Sequence, residues 1–240
     1  MDIKEDEILG DRVSDHWYYR AKGRVLLRAI GPVIRQTLVD VGAGSGVFSK
    51  LLLEEGRAKA AYCVDPGYAR DKDEKVAGRP LHFRREWSGD KADLVLMMDV
   101  LEHVDDDFAL LTEYSDPLRP GAEVFVTVPA FQSLWSGHDV FLEHRKRYRR
   151  EEVDALMARA GLKVKVSRYF YGGLFPVAYV KRRGDRKRLE QGAIQAKSDL
   201  SMAPPLLNAA LTAAHDVERW LVYPWNKVMG LSVVCLAEKV

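Results

Sequence analysis

Leu38-Val39-Asp40-Val41-Gly42-Ala43-Gly44-Ser45-Gly46 runs a short apolar strand into three alternating glycines. The apolar residues of a helix follow at Val47, Leu51 and Leu52, and Asp65-Pro66 closes the next apolar run, residues 60–64. Glycine turns the chain sharply and lets backbone approach a ligand where a Cβ would collide. The helix behind the turn offers free N–H groups, and an acid ending the second strand accepts hydrogen bonds from ribose hydroxyls. This is the grammar of a nucleoside-cofactor site.

Dinucleotide sites space the turn as G-x-G-x-x-G, because the pyrophosphate must sit close to the helix N-terminus. Here the spacing is G-x-G-x-G, with Asp40 inside the preceding strand. No Gly-Lys-Ser/Thr follows the glycines, which excludes a P-loop. The segment from Val39 to Gly46, with Asp65-Pro66 downstream, resembles the first two motifs of class I S-adenosylmethionine-dependent methyltransferases. Residues 92–104, ending in Asp99-Val100-Leu101-Glu102-His103-Val104, are similar to the fourth strand and D-V-L-E-H segment of the small-molecule branch. Residues 118–129 match that family's turn into strand five. The run from Val128-Pro129-Ala130 through Trp135, His138, His144 and Tyr148 resembles members linked to cell-envelope or glycoconjugate assembly.

Strands are expected at residues 37–41, 61–64, 81–84, 93–97, 123–128, 163–169 and 231–238. Helices alternating with the early strands call for a doubly wound, mostly parallel sheet in an α/β fold. The resemblance implies a Rossmann-like order of 3-2-1-4-5-7-6 with strand seven antiparallel. Ser14 is expected to cap a helix over about residues 15–29, made aromatic by His16, Trp17, Tyr18 and Tyr19. In the family such a helix folds over the cofactor. Residues 151–161 read as a helix from Val153, Leu156, Met157 and Ala160, with Gly161 as its stop. Between the last two strands lies an insertion too long for a bare loop. Pro204-Pro205 starts a helix there, and Leu207, Ala210, Leu211, Ala214, Val217 and Leu221 share one face of it. The expected organisation is a single domain over 1–240: an N-terminal cap region (1–36), a cofactor-binding core (37–170), a helical insertion (171–230) and a last strand (231–240).

At 240 residues and 47% hydrophobic content, the chain suits one well-buried domain. A net charge of +2 gives no electrostatic case for nucleic acid. The polar, acidic first seven residues do not read as a secretory signal, and no apolar run approaches bilayer length. Cys63 and Cys235 fall in strands outside any Cys-x-x-Cys pair and read as buried thiols, consistent with a cytoplasmic setting. An apolar block starting at Phe170, with Tyr171, Phe175 and Tyr179, precedes a basic run that ends at Arg188. Together, residues 170–188 are the expected place for peripheral contact with anionic lipid at the inner membrane face.

The resemblance implies S-adenosylmethionine as cofactor, leaving as S-adenosylhomocysteine. Gly42, Ala43, Gly44 and Gly46 are expected to line its methionine and ribose side, Asp40 to support the loop or meet the amino group, and Asp65-Pro66 to take the ribose. Glu86 and Trp87 are expected at the adenine, Asp99 and Val100 at the methionine moiety. Histidine removes protons at neutral pH, which makes His103, His138 and His144 the candidate bases. Tyr18, Trp135 and Tyr148 are expected to touch the acceptor. No metal site is assigned; quinone-biosynthetic relatives raise only the set Asp99, Glu102 and His103. The expected activity is methyl transfer to a small-molecule, glycoconjugate or lipid-linked acceptor at oxygen. Alternatives are a nitrogen acceptor, a non-catalytic module that binds the cofactor, and a nicotinamide-dependent oxidoreductase.

Overall fold

The computed structural model describes residues 10–87, 89, 91–192, 196–198 and 201–240. Among the described residues eight strands form one sheet: β1 Arg35–Val41, β2 Ala58–Val64, β3 Lys72–Val76, β4 Arg79–Arg84, β5 Leu94–Met98, β6 Glu123–Pro129, β7 Leu162–Phe170 and β8 Ser232–Lys239. Their spatial order is β3-β4-β2-β1-β5-β6-β8-β7. The expected seven-strand order is present, with β8 antiparallel to both β6 and β7. The eighth strand, β3, makes an antiparallel hairpin with β4 at one edge.

Among the described residues there are seven α-helices: α1 Trp17–Ile30, α2 Val47–Glu54, α3 Asp107–Ser115, α4 Gly137–Phe141, α5 Arg150–Arg159, α6 Phe175–Glu190 and α7 Pro205–Leu221. Every residue of β5 is buried, as a strand covered on both faces requires. Alternate residues feed two cores. Leu38, Leu94 and Leu96 pack with Leu26 of α1 and Leu52 of α2. Val39, Val95 and Met97 pack with Leu111 of α3 and Met157 of α5.

One expectation changes. Ser14 does not cap α1; a 3-10 turn occupies Gly10–Asp15, and the side chain of His16 accepts from the Tyr18 N–H. The apolar face of α7 does not turn inward: its buried residues are Thr212, His215 and Glu218. Arg147, within the basic run 145–150, is buried. Cys63 and Cys235 are buried free thiols, and burial pushes both thiols up in pKa. Among the described residues no helix is long and apolar enough to cross a membrane.

Candidate active site

The glycine turn leaves the C-terminal end of β1. Gly42, Gly44 and Gly46 take φ of +61°, +53° and +70°, backbone that favours glycine. The turn is packed as well as bent. A Cβ on Gly42 would lie 2.8 Å from Val100 Cγ2, and one on Gly46 would lie 2.8 Å from Cys63 Sγ. Asp65, at the end of the neighbouring β2, accepts from the Gly44 N–H at 3.2 Å and the Gly67 N–H at 2.9 Å. Tyr68 donates its hydroxyl to the Gly44 carbonyl at 2.6 Å. Asp40 is buried within β1, where Ser49 Oγ donates to one oxygen at 2.8 Å. Its other oxygen has no hydrogen-bond partner among the described residues. Burial raises its carboxyl from 3.8 to about 6 against the opposing hydrogen bond from Ser49.

On the other side of β1, β5 ends in Asp99, which adopts φ +55°. Thr127 Oγ1 donates to Asp99 Oδ1 at 3.1 Å, while Lys22 of α1 pairs with Oδ2 and donates to Tyr18 Oη at 2.8 Å. Lys22 is missing from the residues singled out by sequence. Its signal was an inward helical position, three residues after the buried Tyr19 and four before the buried Leu26.

The chain beyond β5 makes a 3-10 turn, Leu101–His103, and the loop after β6 brings His138 and His144 against it. The His103 and His144 ring centroids are 4.8 Å apart, those of His138 and His144 6.4 Å. Asp139, completely buried, organises this group. It caps α4 by accepting from the Ser136 N–H at 2.8 Å, and its carboxylate lies 2.9 Å from His144 Nδ1. Arg147 donates to both its oxygens, at 2.6 and 3.1 Å. Burial pushes the Asp139 carboxyl up, but the bonds from His144 and Arg147 outweigh it and hold it well below the usual carboxylate range. A proton on Nδ1 is the one that bonds an ionised Asp139, and this presents Nε2 as an acceptor. Nε2 of His144 and both carboxylate oxygens of Glu102 have no hydrogen-bond partner among the described residues. Burial, followed by the nearby Asp99 charge, raises the Glu102 carboxyl well above its ordinary value.

A cavity of about 290 Å³ opens here. Asp99, Glu102, all three candidate histidines and Tyr18 line it, with Trp17, Leu142, Leu174 and Val177 as apolar walls and Arg147, Lys181 and Arg182 as cations. Trp135 and Tyr148 are not among its lining residues. Tyr148 is buried, with its hydroxyl on the Leu101 carbonyl and the Asp107 carboxylate. Glu86 is exposed, and Trp87 packs its ring 4.7 Å from that of Tyr62. The set Asp99, Glu102 and His103 does not assemble as a metal site, since Lys22 and Thr127 engage Asp99. Glu102, His103 and His144 instead bring ligand atoms within 4.8 Å of one another, a spacing one divalent cation could span.

A methyltransferase domain model matches residues 14–165. An uncharacterized methyltransferase of Mycobacterium tuberculosis is 29% identical over 119 residues, 47% of each chain. A ubiquinone biosynthesis O-methyltransferase of Methylobacterium sp. is 32% identical over 104 residues, 39% of this chain and 41% of its own. The chain thus spans about half the length of the curated relatives it matches. Among solved structures, a SAM-dependent methyltransferase from Archaeoglobus fulgidus aligns at a TM-score of 0.55 and 16% identity, covering 99% of this chain and 98% of its own. Phosphoethanolamine N-methyltransferase 2 of Haemonchus contortus, solved with phosphomonomethylethanolamine and S-adenosylhomocysteine, aligns at 0.57 and 15%, covering 98% of this chain and 56% of its own. These likenesses show the shared fold. The family model spans well over half of the residues, and the chain belongs to the methyltransferase domain family.

Proposed function

We propose that this protein transfers the methyl group of S-adenosylmethionine to an oxygen of a small, anionic acceptor, including acceptors carried on a glycoconjugate or lipid. The observation that carries the reading is the juxtaposition of two strand ends. The glycine turn leaves β1, Asp99 ends the adjacent β5, and Asp99 also lines the cavity that holds three histidines. Neighbouring strands lie about 4.8 Å apart, so a cofactor on the turn and an acceptor in the cavity would be neighbours.

The residues present fit the cofactor. Asp40 keeps an unpartnered buried oxygen beside the turn, and Val100 and Cys63 leave no room for a side chain on Gly42 or Gly46. Gly42, Ala43, Gly44 and Gly46 would hold its methionine and ribose side, Asp65-Pro66 the ribose hydroxyls, and Val100 and Asp99 the methionine end. Glu86 and Trp87 would meet the adenine. When bound, S-adenosylmethionine supplies a methyl group already activated on a sulfonium. Orientation and exclusion of water are then the main work left to the protein. His144, held by Asp139, would take the proton of an acceptor hydroxyl on Nε2, with His103 and His138 beside it.

The sign of the acceptor follows from the cavity's charges. Lys22 pairs with Asp99, Arg147 pairs with Asp139, and burial favours a protonated Glu102, so the remaining charged residues of the lining are Lys181 and Arg182. The oxygen preference draws support from the histidines and from the relative named as an O-methyltransferase.

Parallel calorimetric titrations with S-adenosylmethionine, S-adenosylhomocysteine and NAD test the cofactor. Binding of the first two without NAD is expected; binding of NAD alone would return the nicotinamide alternative. An acceptor panel of phenols, phosphates and carboxylates then tests turnover, and cofactor binding without transfer would favour a non-catalytic module. A second reading is favoured by the orphaned oxygens of Glu102 and Nε2 of His144, where a divalent cation would fit. Loss of turnover after dialysis against a chelator, restored by Mg²⁺ or Zn²⁺, would select it.

A further inference from the structure

Helix α7 is built inside out. Its buried positions are the polar Thr212, His215 and Glu218, and each is engaged. Thr212 Oγ1 donates to the Asn208 carbonyl at 2.8 Å, His215 Nδ1 lies 3.0 Å from Glu218 Oε2, and Glu218 Oε1 accepts from the Gly172 N–H at 2.6 Å. Asn208 also accepts from the Trp17 N–H and donates to the Asp15 carbonyl, locking α7 to the start of α1. The apolar residues therefore face outward. Leu206 is 85% exposed, Val217 58%, Trp220 61% and Leu221 71%, and the exposed surface continues past the helix through Trp225 at 82% and Val228 at 76%. Helix α6 exposes Val177, at the cavity, and Val180.

An apolar stripe of this kind is left in water at a cost that covering it would remove. The charges around it say what covers it. Among the described residues between 175 and 231, every exposed charged side chain is a cation: Lys181, Arg183, Arg188, Lys197 and Lys227. Of the described acids there, Asp185 is half-buried, Asp216 pairs with Arg24 and Arg219, and Glu218 is held in its buried bonds. A second copy of the chain seated on this face would bring cations against cations. An anionic bilayer would receive both the apolar side chains and the positive edges, with the Trp220 and Trp225 indoles at the headgroup level.

We propose that the outward face of α7, with Trp225, Val228 and the cationic edge, docks the protein on the surface of an anionic membrane. This differs from the expected contact through residues 170–188: α7 and the segment after it supply the apolar surface, and α6 supplies mainly charge. Asn208 joins the inner side of α7 to Trp17, a lining residue of the cavity.

The test is co-sedimentation of the full chain with vesicles of phosphatidylcholine alone and of phosphatidylcholine mixed with phosphatidylglycerol. Pelleting with the mixed vesicles at low salt, weakened by salt, is the expected result. Val217→Glu combined with Trp225→Glu should abolish it. Both side chains are exposed, so an unchanged melting curve serves as the folding control. Arg183→Gln and Lys227→Gln should each weaken binding roughly fivefold, following the usual energy of one cation at a charged surface. Absence of pelleting at low salt would overturn the proposal. So would concentration-dependent dimers in ultracentrifugation, abolished by Val217→Glu, if no vesicle binding accompanied them. Cofactor titration is independent of these outcomes, so failure here leaves the methyl-transfer reading standing.

Discussion

Lys22 and Asp99 form an ion pair that ties the middle of α1 to the end of β5, with the lysine side chain 2% exposed and the carboxylate 25%. Burial works against ionisation of Asp99, but the Lys22 charge and hydrogen bond outweigh it and lower the carboxyl pKa. Removing one member leaves the other charge buried without its partner, which typically costs about 3–5 kcal/mol. Lys22→Met should therefore destabilise strongly in urea unfolding, and adding Asp99→Asn should restore part of the loss. Strictly additive losses would mean that the pair does not act as a unit.

Asp65 accepts from the Gly44 N–H of the glycine turn and from the Gly67 N–H just beyond β2, and is the residue proposed to bind ribose. Hydrogen bonds to a charged group are each worth about 1.5–3 kcal/mol. Asp65→Ala should weaken S-adenosylmethionine binding by about tenfold or more in calorimetry, with a smaller loss of stability. Unchanged affinity would remove Asp65 from the cofactor site.

The parallel core could be read from the chain because residues such as Leu94 to Met98 are apolar without interruption, and only a doubly covered strand needs that. Strand β3, Lys-Asp-Glu-Lys-Val, could not, since an exposed edge strand of charged residues carries no burial signal. The face of α7 was legible as a pattern but not as a direction. Periodicity identifies the apolar side of a helix without saying whether protein or lipid covers it. At the site, His138 and His144 stood out by residue type, whereas Asp139 sat between them unremarked. Its role depends on the short helix α4, which brings His144 and Arg147 back onto one carboxylate.

Asp40 gives a pH dependence with a defined sign. An acid whose pKa rises on folding, here from 3.8 to about 6, holds its proton more tightly in the folded state. The folded state then loses stability as pH climbs through that window, by at most about 3 kcal/mol once both states are ionised. Asp40→Asn cannot ionise. Its melting temperature relative to the wild type should rise between pH 4 and pH 7 and level off above. A constant difference across that range would show that Asp40 titrates alike in both states.

The last prediction separates orientation from packing at Asp139. The folded state binds the Asp139 proton more weakly than the unfolded chain does. Its stabilising contribution is therefore complete above the unfolded value and fades as pH falls below it. Asp139→Asn keeps the shape, removes the charge that faces Arg147, and puts an amide where His144 Nδ1 needs an acceptor. Two readouts should move. Stability at neutral pH should fall by about 3–5 kcal/mol, as for other broken buried pairs, and the variant should lose part of the wild type's acid sensitivity. Turnover should fall by about a hundredfold or more at unchanged S-adenosylmethionine affinity, because an amide no longer selects the His144 tautomer with Nε2 free to accept a proton. His144→Ala should match that loss in kcat. Should Asp139→Asn lower stability while kcat and its pH profile stay as in the wild type, Asp139 would hold the loop together and take no part in orienting the base.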